Sequence, residues 1–320
     1  MLDAADLSLA IDAAVAERRP DVIVAYCSGM ARLALLSSIR QVPLVLDMVD
    51  VDSAKWEALA AVTPPPLGWI YRREARTLRT FEAVIAKRAV ASLVVTARER
   101  ETLRELAPTA RVEVVPNGVD LDTLRPPTPR GASFDVVFCG VMDYAPNAQA
   151  AVLLARDVWP SVRRRCPQAT LSLVGSNPTR QVQHLHAPAL GITVTGAVPD
   201  VKPYLWRAAV ATAPIRTARG IQNKVLEAVA AGLPTVITPN LLESLPPSVA
   251  AACRVGDTPA ELADAIVSLL QASPEERHAL VSSTDISDLT WDCQLSAIPP
   301  LLQVVAAAAA SPASSASTQS

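Results

Sequence analysis

The alternation of short apolar runs with longer amphipathic segments constrains the fold of this chain more than any other feature. The apolar runs are rich in β-branched residues and too short to be helices, so we predict buried strands there. The alternation occurs on both sides of a proline-rich stretch at 126–133. It is typical of parallel sheets covered by helices, and we therefore predict an α/β protein with two Rossmann-like parallel-sheet domains.

The predicted elements define the domain boundaries. The strands are 21–26, 42–48, 91–95 and 112–115 in the first half, and 134–139, 170–174, 192–195, 210–213 and 234–238 in the second. The helices are 6–18, 28–39, 68–88, 97–106, 147–165, 200–208, 224–231, 258–270, 274–282 and 296–308. We predict domains over 1–125 and 134–290, a linker over 126–133, a C-terminal helix over 291–308 and a disordered tail over 309–320.

Composition argues against several classes of protein. A net charge of −2 does not favour binding of nucleic acid through bulk charge. The five cysteines are scattered without a C-x-x-C pair, and the three histidines have no metal-ligand spacing with them. No apolar run reaches about 18 residues, and the first residues do not resemble a signal peptide. We expect a protein of the reducing cytoplasm.

The segment 213–234 carries the clearest chemical signal. It places Arg216, Arg219 and Lys224 at the entry of a short helix, with Glu227 one turn further on. The first N–H groups of a helix lack partners and the helix dipole is positive there, so such an entry attracts anions. Cations for a diphosphate and one carboxylate for hydroxyl groups are what a sugar nucleotide requires.

Glycines follow four of the predicted strands. They are Gly140, Gly175, Gly196 and Gly220, out of 11 glycines in the chain. Each taken alone is consistent with a tight turn. Because ligands of parallel α/β sheets lie beyond the carboxyl ends of the strands, the four together favour a ligand cleft.

Each residue at this helix entry also has a plain structural interpretation. Glu227 could be an ordinary first-turn glutamate that complements the helix dipole. Arg216 and Arg219 could lie in a solvated loop, and the stem of Lys224 could lie on the surface. Gln222 and Asn223 are candidates for contacts with sugar hydroxyls, and the competing interpretation of Asn223 is a helix N-cap.

Two features of the first half also leave alternatives open. Asp50 and Asp52 have the spacing of an Asp-x-Asp metal site, for which a cap or turn role is the competing interpretation. The basic helix 68–88 is either a solvated face or a surface for peripheral contact with an anionic membrane. Trp56 and Trp69 fit either the membrane interface or the core.

Two motifs resemble the family-4 glycosyltransferases. Val-Val-Pro-Asn-Gly-Val-Asp at 114–120, followed by Leu-Arg-Pro at 124–126, is similar to the end of their N-terminal domain. The segment 226–236 is similar to their donor-binding helix and the strand after it, and Val174–Gly175 and 194–196 match their strand ends. The resemblance implies the GT-B fold, in which two Rossmann-like domains face a cleft. It also implies transfer of a sugar with retention, without metal or other cofactor.

The partners and site residues follow from this resemblance. The donor is expected to be a UDP- or GDP-linked sugar, and the acceptor a saccharide or a lipid-linked molecule. The expected catalytic residues are Asp50, Arg216 and Glu227. The expected donor-binding residues are Gly140, Asn147, Gly175, Arg216, Arg219, Gly220, Gln222, Asn223, Lys224 and Glu227.

A narrower resemblance points to a bacterial subgroup that occurs with exosortase-linked exopolysaccharide systems. It rests on an acidic motif over 47–56, on Tyr-Arg-Arg-Glu at 71–74, on 142–147 and on Arg-Gly-Ile-Gln-Asn-Lys-Val-Leu-Glu at 219–227. We therefore expect a role in exopolysaccharide biosynthesis.

The chain departs from the family pattern at three positions. Arg219 stands where the family has its first sugar-binding glutamate, which favours an acidic or differently oriented sugar, or an extra diphosphate contact. Val141 follows Gly140 where the family often has arginine. Asp50 stands near the place of the family's usual histidine.

The start of the chain is the last departure. Family members begin with a strand and a Gly-rich loop before the segment that opens this sequence, so we expect an incomplete first domain with an exposed sheet edge. The alternative function is therefore a truncated, non-catalytic remnant or scaffold that at most binds nucleotide. A GT-B sugar-nucleotide epimerase would need catalytic carboxylates and a histidine, for which no candidates stand out.

Overall fold

The computed structural model describes residues 5–127, 135–217 and 221–310, and these form two compact units. Unit 1 comprises Met1–Pro116 together with Gln294–Ser320, and unit 2 comprises Asn117–Cys293. Most of the predicted linker and of the predicted tail falls outside the described residues. The prediction of two parallel-sheet α/β domains is confirmed.

Unit 1 is built on a four-stranded parallel sheet with the order β1-β2-β3-β4. Its strands are β1 (Ile23–Tyr26), β2 (Leu44–Val49), β3 (Ala91–Val94) and β4 (Val112–Val114). Its helices are α1 (Ala5–Glu17), α2 (Cys27–Ala31), α3 (Asp52–Val62), α4 (Leu67–Arg88), α5 (Ala97–Leu106) and α17 (Ile298–Ala310). A short helix, α16 (Trp291–Leu295), spans the boundary between the units.

Two clusters of apolar side chains hold unit 1 together. Leu44, Leu46 and Met48 of β2 are buried against Ile85 of α4 and Leu103 of α5. In the second cluster, Val305 of the C-terminal helix α17 packs against Val45 of β2 and Leu93 of β3. The alternating residues of β2 thus bury both of its faces, as expected for a parallel sheet covered by helices.

Unit 2 is built on a six-stranded parallel sheet with the order β10-β9-β8-β5-β6-β7. Its strands are β5 (Asp135–Cys139), β6 (Thr170–Val174), β7 (Ile192–Val194), β8 (Val210–Ala213), β9 (Thr235–Ile237) and β10 (Cys253–Val255). Chain order reverses between β5 and β8, which makes their carboxyl ends a switch point of the doubly wound type.

Helices cover this sheet around a core that contains the buried side chains of Phe138 and Trp159. The helices are α6 (Leu121–Leu124), α7 (Ala145–Leu153), α8 (Trp159–Arg165), α9 (Arg180–Gln183), α10 (Lys202–Arg207), α11 (Asn223–Ala230), α12 (Pro239–Leu242), α13 (Pro247–Ala251), α14 (Pro259–Gln271) and α15 (Pro274–Ser282). None of the helices within the described ranges is long and apolar enough to cross a membrane.

Several predicted elements were wrong or missed. The helix predicted over 28–39 is only α2 followed by a 3-10 turn over Arg32–Leu35. The helix predicted over 147–165 widens into a π-helical segment at Leu154–Val158, just before Pro160, which has no N–H to donate to the preceding turn. Helix α3 and strand β10 were not predicted.

Candidate functional site

The candidate site lies in unit 2 at the carboxyl ends of β5, β6 and β8, where helix α11 begins. In an open parallel sheet this edge collects the loops that follow the strands, and a switch point there leaves a crevice between neighbouring loops. The structure brings four of the predicted donor-binding residues together at the end of β5: Gly140, Asn147, Gly175 and Lys224. The side chain of Glu227 interacts electrostatically with Lys224 from the next turn of α11.

Two glycines bring the ends of β5 and β6 into close contact. The Gly140 N–H donates to the Val174 carbonyl at 3.0 Å. Gly175 has φ +151°, and a Cβ atom there would lie 1.7 Å from the Gly140 carbonyl oxygen. A Cβ on Gly140 would meet the Asn147 amide nitrogen at 2.8 Å. Gly175 therefore requires glycine for its positive φ and for close packing, and Gly140 requires it for close packing.

Asn147 connects the loop after β5 to helix α11. Its side chain is buried, its amide nitrogen donates to the Val141 carbonyl at 2.9 Å, and its amide oxygen accepts from Lys224 Nζ at 2.5 Å. The Lys224 ammonium also lies 5.3 Å from the centroid of the Phe138 ring. The alternative of a lysine stem on the open surface is wrong, because these contacts hold the ammonium at the end of the sheet.

Burial shifts the acid–base behaviour of this cluster. It lowers the pKa of Lys224 to about 8, although the neighbouring Glu227 and Cys139 favour the ammonium. It raises the pKa of Glu227, an effect that Lys224 opposes. It also raises the pKa of Cys139 to about 12, with a contribution from the charge of Glu227. The cluster thus holds one cation in poorly hydrated surroundings, where it attracts an anion strongly.

Helix α11 begins one residue earlier than predicted, and its N-cap is Gln222, with φ −89° and ψ 97°. The N-cap interpretation of Asn223 is therefore wrong, because Asn223 is the first helical residue. Its side-chain oxygen accepts from the Asn117 amide at 2.7 Å, which ties the Pro-Asn-Gly motif at 116–118 to the start of α11.

Of the two predicted arginines, Arg216 lies within the described residues and Arg219 does not. The Arg216 side chain is exposed after β8, and its guanidinium donates to the Asp257 carbonyl at 2.6 Å, in the loop after β10. Arg219 and Gly220 lie outside the described residues. Gly196 has φ +70° with open space around it, so it serves the turn rather than a close approach.

Asp50 belongs to unit 1, where it directly follows β2 and is half-buried. Asp52 is the first residue of α3, and its carboxylate accepts from the Ser28 hydroxyl at 2.5 Å. Asp52 therefore has a structural partner, in agreement with the turn interpretation of the Asp-x-Asp spacing. Over the described parts of the chain, no three His, Cys, Asp or Glu side chains are grouped to hold a metal ion.

Sequence reasoning missed two members of the cluster, Phe138 and Cys139. They are the last two residues of β5, and the only sequence signal for them is their position just before Gly140. A cavity of about 820 Å³ lies at the opposite edge of the unit 2 sheet from the candidate site, near the loops that precede β8 and β9. It is lined by residues that include Ala208, Gly232 and His278, and no predicted site residue lines it.

Two family models match the chain. Residues 2–118 match the model described as "Glycosyl transferase 4-like domain", and residues 133–272 match "Glycosyl transferases group 1". The two matches follow each other in the chain and fall on unit 1 and unit 2. A search of the curated proteins finds no match.

Solved structures match nearly the whole chain. Sucrose-phosphate synthase from Thermosynechococcus elongatus is 18% identical, with a TM-score of 0.70 over 94% of this chain and 78% of its own. HepE from Anabaena, solved in complex with UDP and glucose, is 16% identical, with a TM-score of 0.70 over 93% and 82%. WaaG, a glycosyltransferase involved in lipopolysaccharide biosynthesis, is 18% identical, with a TM-score of 0.64 over 94% and 81%. At these identities the likeness concerns the fold.

Proposed function

We propose that the chain, which has the GT-B fold, is a glycosyltransferase that transfers a sugar from a UDP- or GDP-linked donor to a saccharide or lipid-linked acceptor. The observation that carries the proposal is the Lys224–Asn147 pair, with Glu227 beside it, at the switch point of the unit 2 sheet. The complex of HepE with UDP and glucose supports UDP as the first nucleotide to test.

We assign the donor diphosphate to Lys224, to the first N–H groups of α11 and to the backbone at Gly140 and Gly175. The two glycines let the ends of β5 and β6 pack closely beside Lys224, and the helix N-terminus favours negative charge. Arg216 adds a second cation, and Glu227 accepts hydrogen bonds from the ribose hydroxyls. Gln222 and Asn223 are proposed to contact sugar hydroxyls, and Arg219 and Gly220, which lie outside the described residues, are proposed to contact the donor as well.

The proposed reaction proceeds with retention. The bond between the anomeric carbon and the diphosphate oxygen breaks, the acceptor oxygen bonds to the same face of the sugar, and the acceptor proton passes to the departing diphosphate. Negative charge grows on the diphosphate as the first bond breaks, so cations already in place lower the barrier. In this scheme Lys224 and Arg216 supply that charge without a metal, and Asp50 contacts the acceptor hydroxyl or the transferred sugar. An exopolysaccharide would be the product.

Calorimetry of the full chain with UDP and GDP tests the donor site. Glu227→Ala should weaken nucleotide binding by about tenfold, the effect of one lost hydrogen bond to a charged group. The control Glu275→Ala removes an exposed first-turn glutamate of α15 and should leave the affinity unchanged. Absence of binding of either nucleotide at about 1 mM would contradict the donor site. Binding without turnover of any nucleotide sugar would favour the non-catalytic alternative.

We also propose peripheral contact with the inner face of the cytoplasmic membrane through the first turns of α4. The side chains of Leu67, Trp69 and Ile70 are exposed there, followed by the exposed Arg72 and Arg73. Exposed apolar side chains beside arginines fit an anionic lipid surface, where a lipid-linked acceptor would lie.

Co-sedimentation with vesicles tests this contact. Trp69→Ser with Ile70→Ser should reduce binding to phosphatidylglycerol vesicles by about tenfold or more, since two apolar side chains no longer insert. The control Val84→Ser removes an equally exposed apolar side chain near the other end of α4. If both variants lose the same amount of vesicle binding, the contact is contradicted. It is also contradicted if the wild-type protein binds neutral vesicles as well as phosphatidylglycerol vesicles.

A further inference from the structure

The corner after β2 in unit 1 has an unusual backbone. Val49 has φ +63°, and the Asp50 N–H donates back to the Met48 carbonyl at 2.8 Å. This is a γ-turn of the positive-φ type, which is rare and strained, and a β-branched residue at its centre makes it more so. The pairing of β2 with β3 also shifts register between Asp47 and Val49. Such strain persists only where the surrounding structure imposes it, and it is concentrated at functional sites.

Two buried carboxylates from different helices hold this corner. Glu99 of α5 accepts from the Val51 N–H at 2.7 Å, and Glu82 of α4 accepts from the Ser53 N–H at 3.1 Å. Both glutamates are completely buried. Burial raises the pKa of Glu82, while its hydrogen bonds to Ser53 oppose that change. Burying two acidic groups is unfavourable, and their hydrogen bonds to the corner offset part of that cost.

Helix α3 begins without the side-chain N-cap that most helices have. A Ser or Asp side chain at the N-cap normally satisfies the first N–H groups of a helix. Here the N-cap of α3 is Val51, which has no such side chain, and Asp52 accepts from Ser28 after β1 instead. Ser28 itself follows Cys27, which has φ +60°. The ends of the neighbouring strands β1 and β2 are thus tied together, and the N–H groups of Val51 and Ser53 depend on distant glutamates.

We propose that Glu82 and Glu99 are positioning residues that fix the Met48–Ser53 corner and thereby the carboxylate of Asp50. The corner lies at the carboxyl edge of its parallel sheet, the edge at which such sheets bind ligands. The inference rests on the proposed function in one respect, the acceptor-side role of Asp50. A shift of about 1 Å in a reacting group is enough to reduce turnover by about 100-fold.

The physical part of the proposal is tested by amide hydrogen exchange on the full-length protein. In Glu99→Gln the Val51 amide, and in Glu82→Gln the Ser53 amide, should exchange at least about tenfold faster, because a neutral amide accepts more weakly than a carboxylate. The amide of Leu93 in β3 serves as an internal reference for global unfolding. Unchanged exchange at both positions would overturn the proposal, whether or not the protein turns over a donor.

The functional part is tested by release of glucose from UDP-glucose, with water as the acceptor. Glu99→Gln and Asp50→Asn should each lower kcat by about tenfold or more, with KM and the affinity for UDP within about twofold of wild type. The matched control is Glu276→Gln, which alters the corresponding glutamate at the start of α15. It should leave both constants unchanged.

A double-mutant cycle then tests whether Glu99 affects turnover by positioning Asp50 or by a separate effect on the protein. If Glu99 acts through Asp50, adding Glu99→Gln to Asp50→Asn lowers kcat no further. Losses that multiply would show that Glu99 acts elsewhere, and this would overturn the proposal. A wild-type protein that neither binds UDP nor releases glucose contradicts the proposed function instead, and the exchange result still decides whether the two glutamates hold the corner.

Discussion

The surroundings of Lys224 disfavour its ammonium charge and at the same time favour a bound anion beside it. Its ammonium lies against Phe138 and Asn147, where burial lowers its pKa to about 8. Glu227 compensates only in part, because burial raises the pKa of that carboxyl too. A bound diphosphate would supply the missing negative charge, so the same burial that disfavours the free cation strengthens its attraction to the ligand.

The affinity for UDP should therefore depend on pH through Lys224. Because the pKa is lowered to about 8, the ammonium is present below that pH and is lost above it. Binding should weaken as the pH rises from about 7 to about 9, and Lys224→Met should weaken it about tenfold at neutral pH and remove the step. Isothermal titration across this range measures both effects. The control is Lys202→Met, which removes a surface lysine paired with Asp200. The same pH step in Lys224→Met would show that another group titrates.

The close approach of the β5 and β6 ends gives a second prediction for single residues. Gly175→Ala would place a Cβ atom 1.7 Å from the Gly140 carbonyl oxygen, and no flexible side chain can move aside. We expect unfolding to require at least about 2 kcal/mol less, with loss of UDP binding. In Gly29→Ala the nearest atom is Cys27 Sγ at 3.8 Å, so stability should change little. Chemical denaturation compares the two variants, and equal stability would contradict the packing argument.

The residues of the proposed donor site could be placed from the sequence to different degrees. The sequence places Glu227 one turn into α11 and Gly140 and Gly175 after their strands, because these positions depend on local sequence. The burial of Lys224 could not be predicted, because it depends on Asn147, 77 positions away in the chain. Likewise, Thr96 and Glu99 have the spacing of a capping box, yet the Glu99 carboxylate accepts from Val51 in a different loop.

For whole elements, local signals predicted strands better than helix boundaries. The strands β5, β6 and β8 are apolar runs that end in glycine or proline, and they were predicted within one residue. Helix α3 was missed because its apolar residues do not form one stripe, and it owes its place to packing against α4. The continuous helix expected over 147–165 was wrong at its centre, since Pro160 favours a wider turn before it.

The start of α14 offers a test of stability at the scale of an element. Thr258 and Glu261 form a capping box, in which each side chain accepts from the backbone N–H of the other residue. Thr258→Ala should lower the free energy of unfolding by about 1 kcal/mol, because an N–H at the helix start loses its acceptor. UDP affinity should stay unchanged, since the site lies at the start of α11. Thr258→Ser, which keeps the hydroxyl, is the matched control, and a similar loss in that variant would exclude the capping explanation.

At the scale of the whole molecule, unit 1 is built from two separate segments of the chain, one before unit 2 and one after it. The described residues 294–310 return to unit 1 after unit 2 is complete, and Val305 of α17 packs against Val45 and Leu93 of the unit 1 sheet. Unit 1 therefore depends on the last helix of the chain. The described residues proposed to bind the donor diphosphate and ribose all belong to unit 2, which has a separate apolar core.

Val305→Asp should consequently damage one unit and spare the other. Val305 is 3% exposed, and an unpaired carboxylate there would lower the stability of unit 1 by at least about 3 kcal/mol. The control is Val304→Asp on the same helix, where the side chain is 63% exposed and the change should be nearly neutral. Hydrogen exchange would then accelerate in β2 and β3 of the Val305→Asp variant alone. Its affinity for UDP should remain within about twofold of wild type, because the free energy of unfolding differs between regions of one chain. Parallel loss of UDP binding would mean that the donor site depends on unit 1, and equal effects of the two substitutions would mean that α17 does not pack as described.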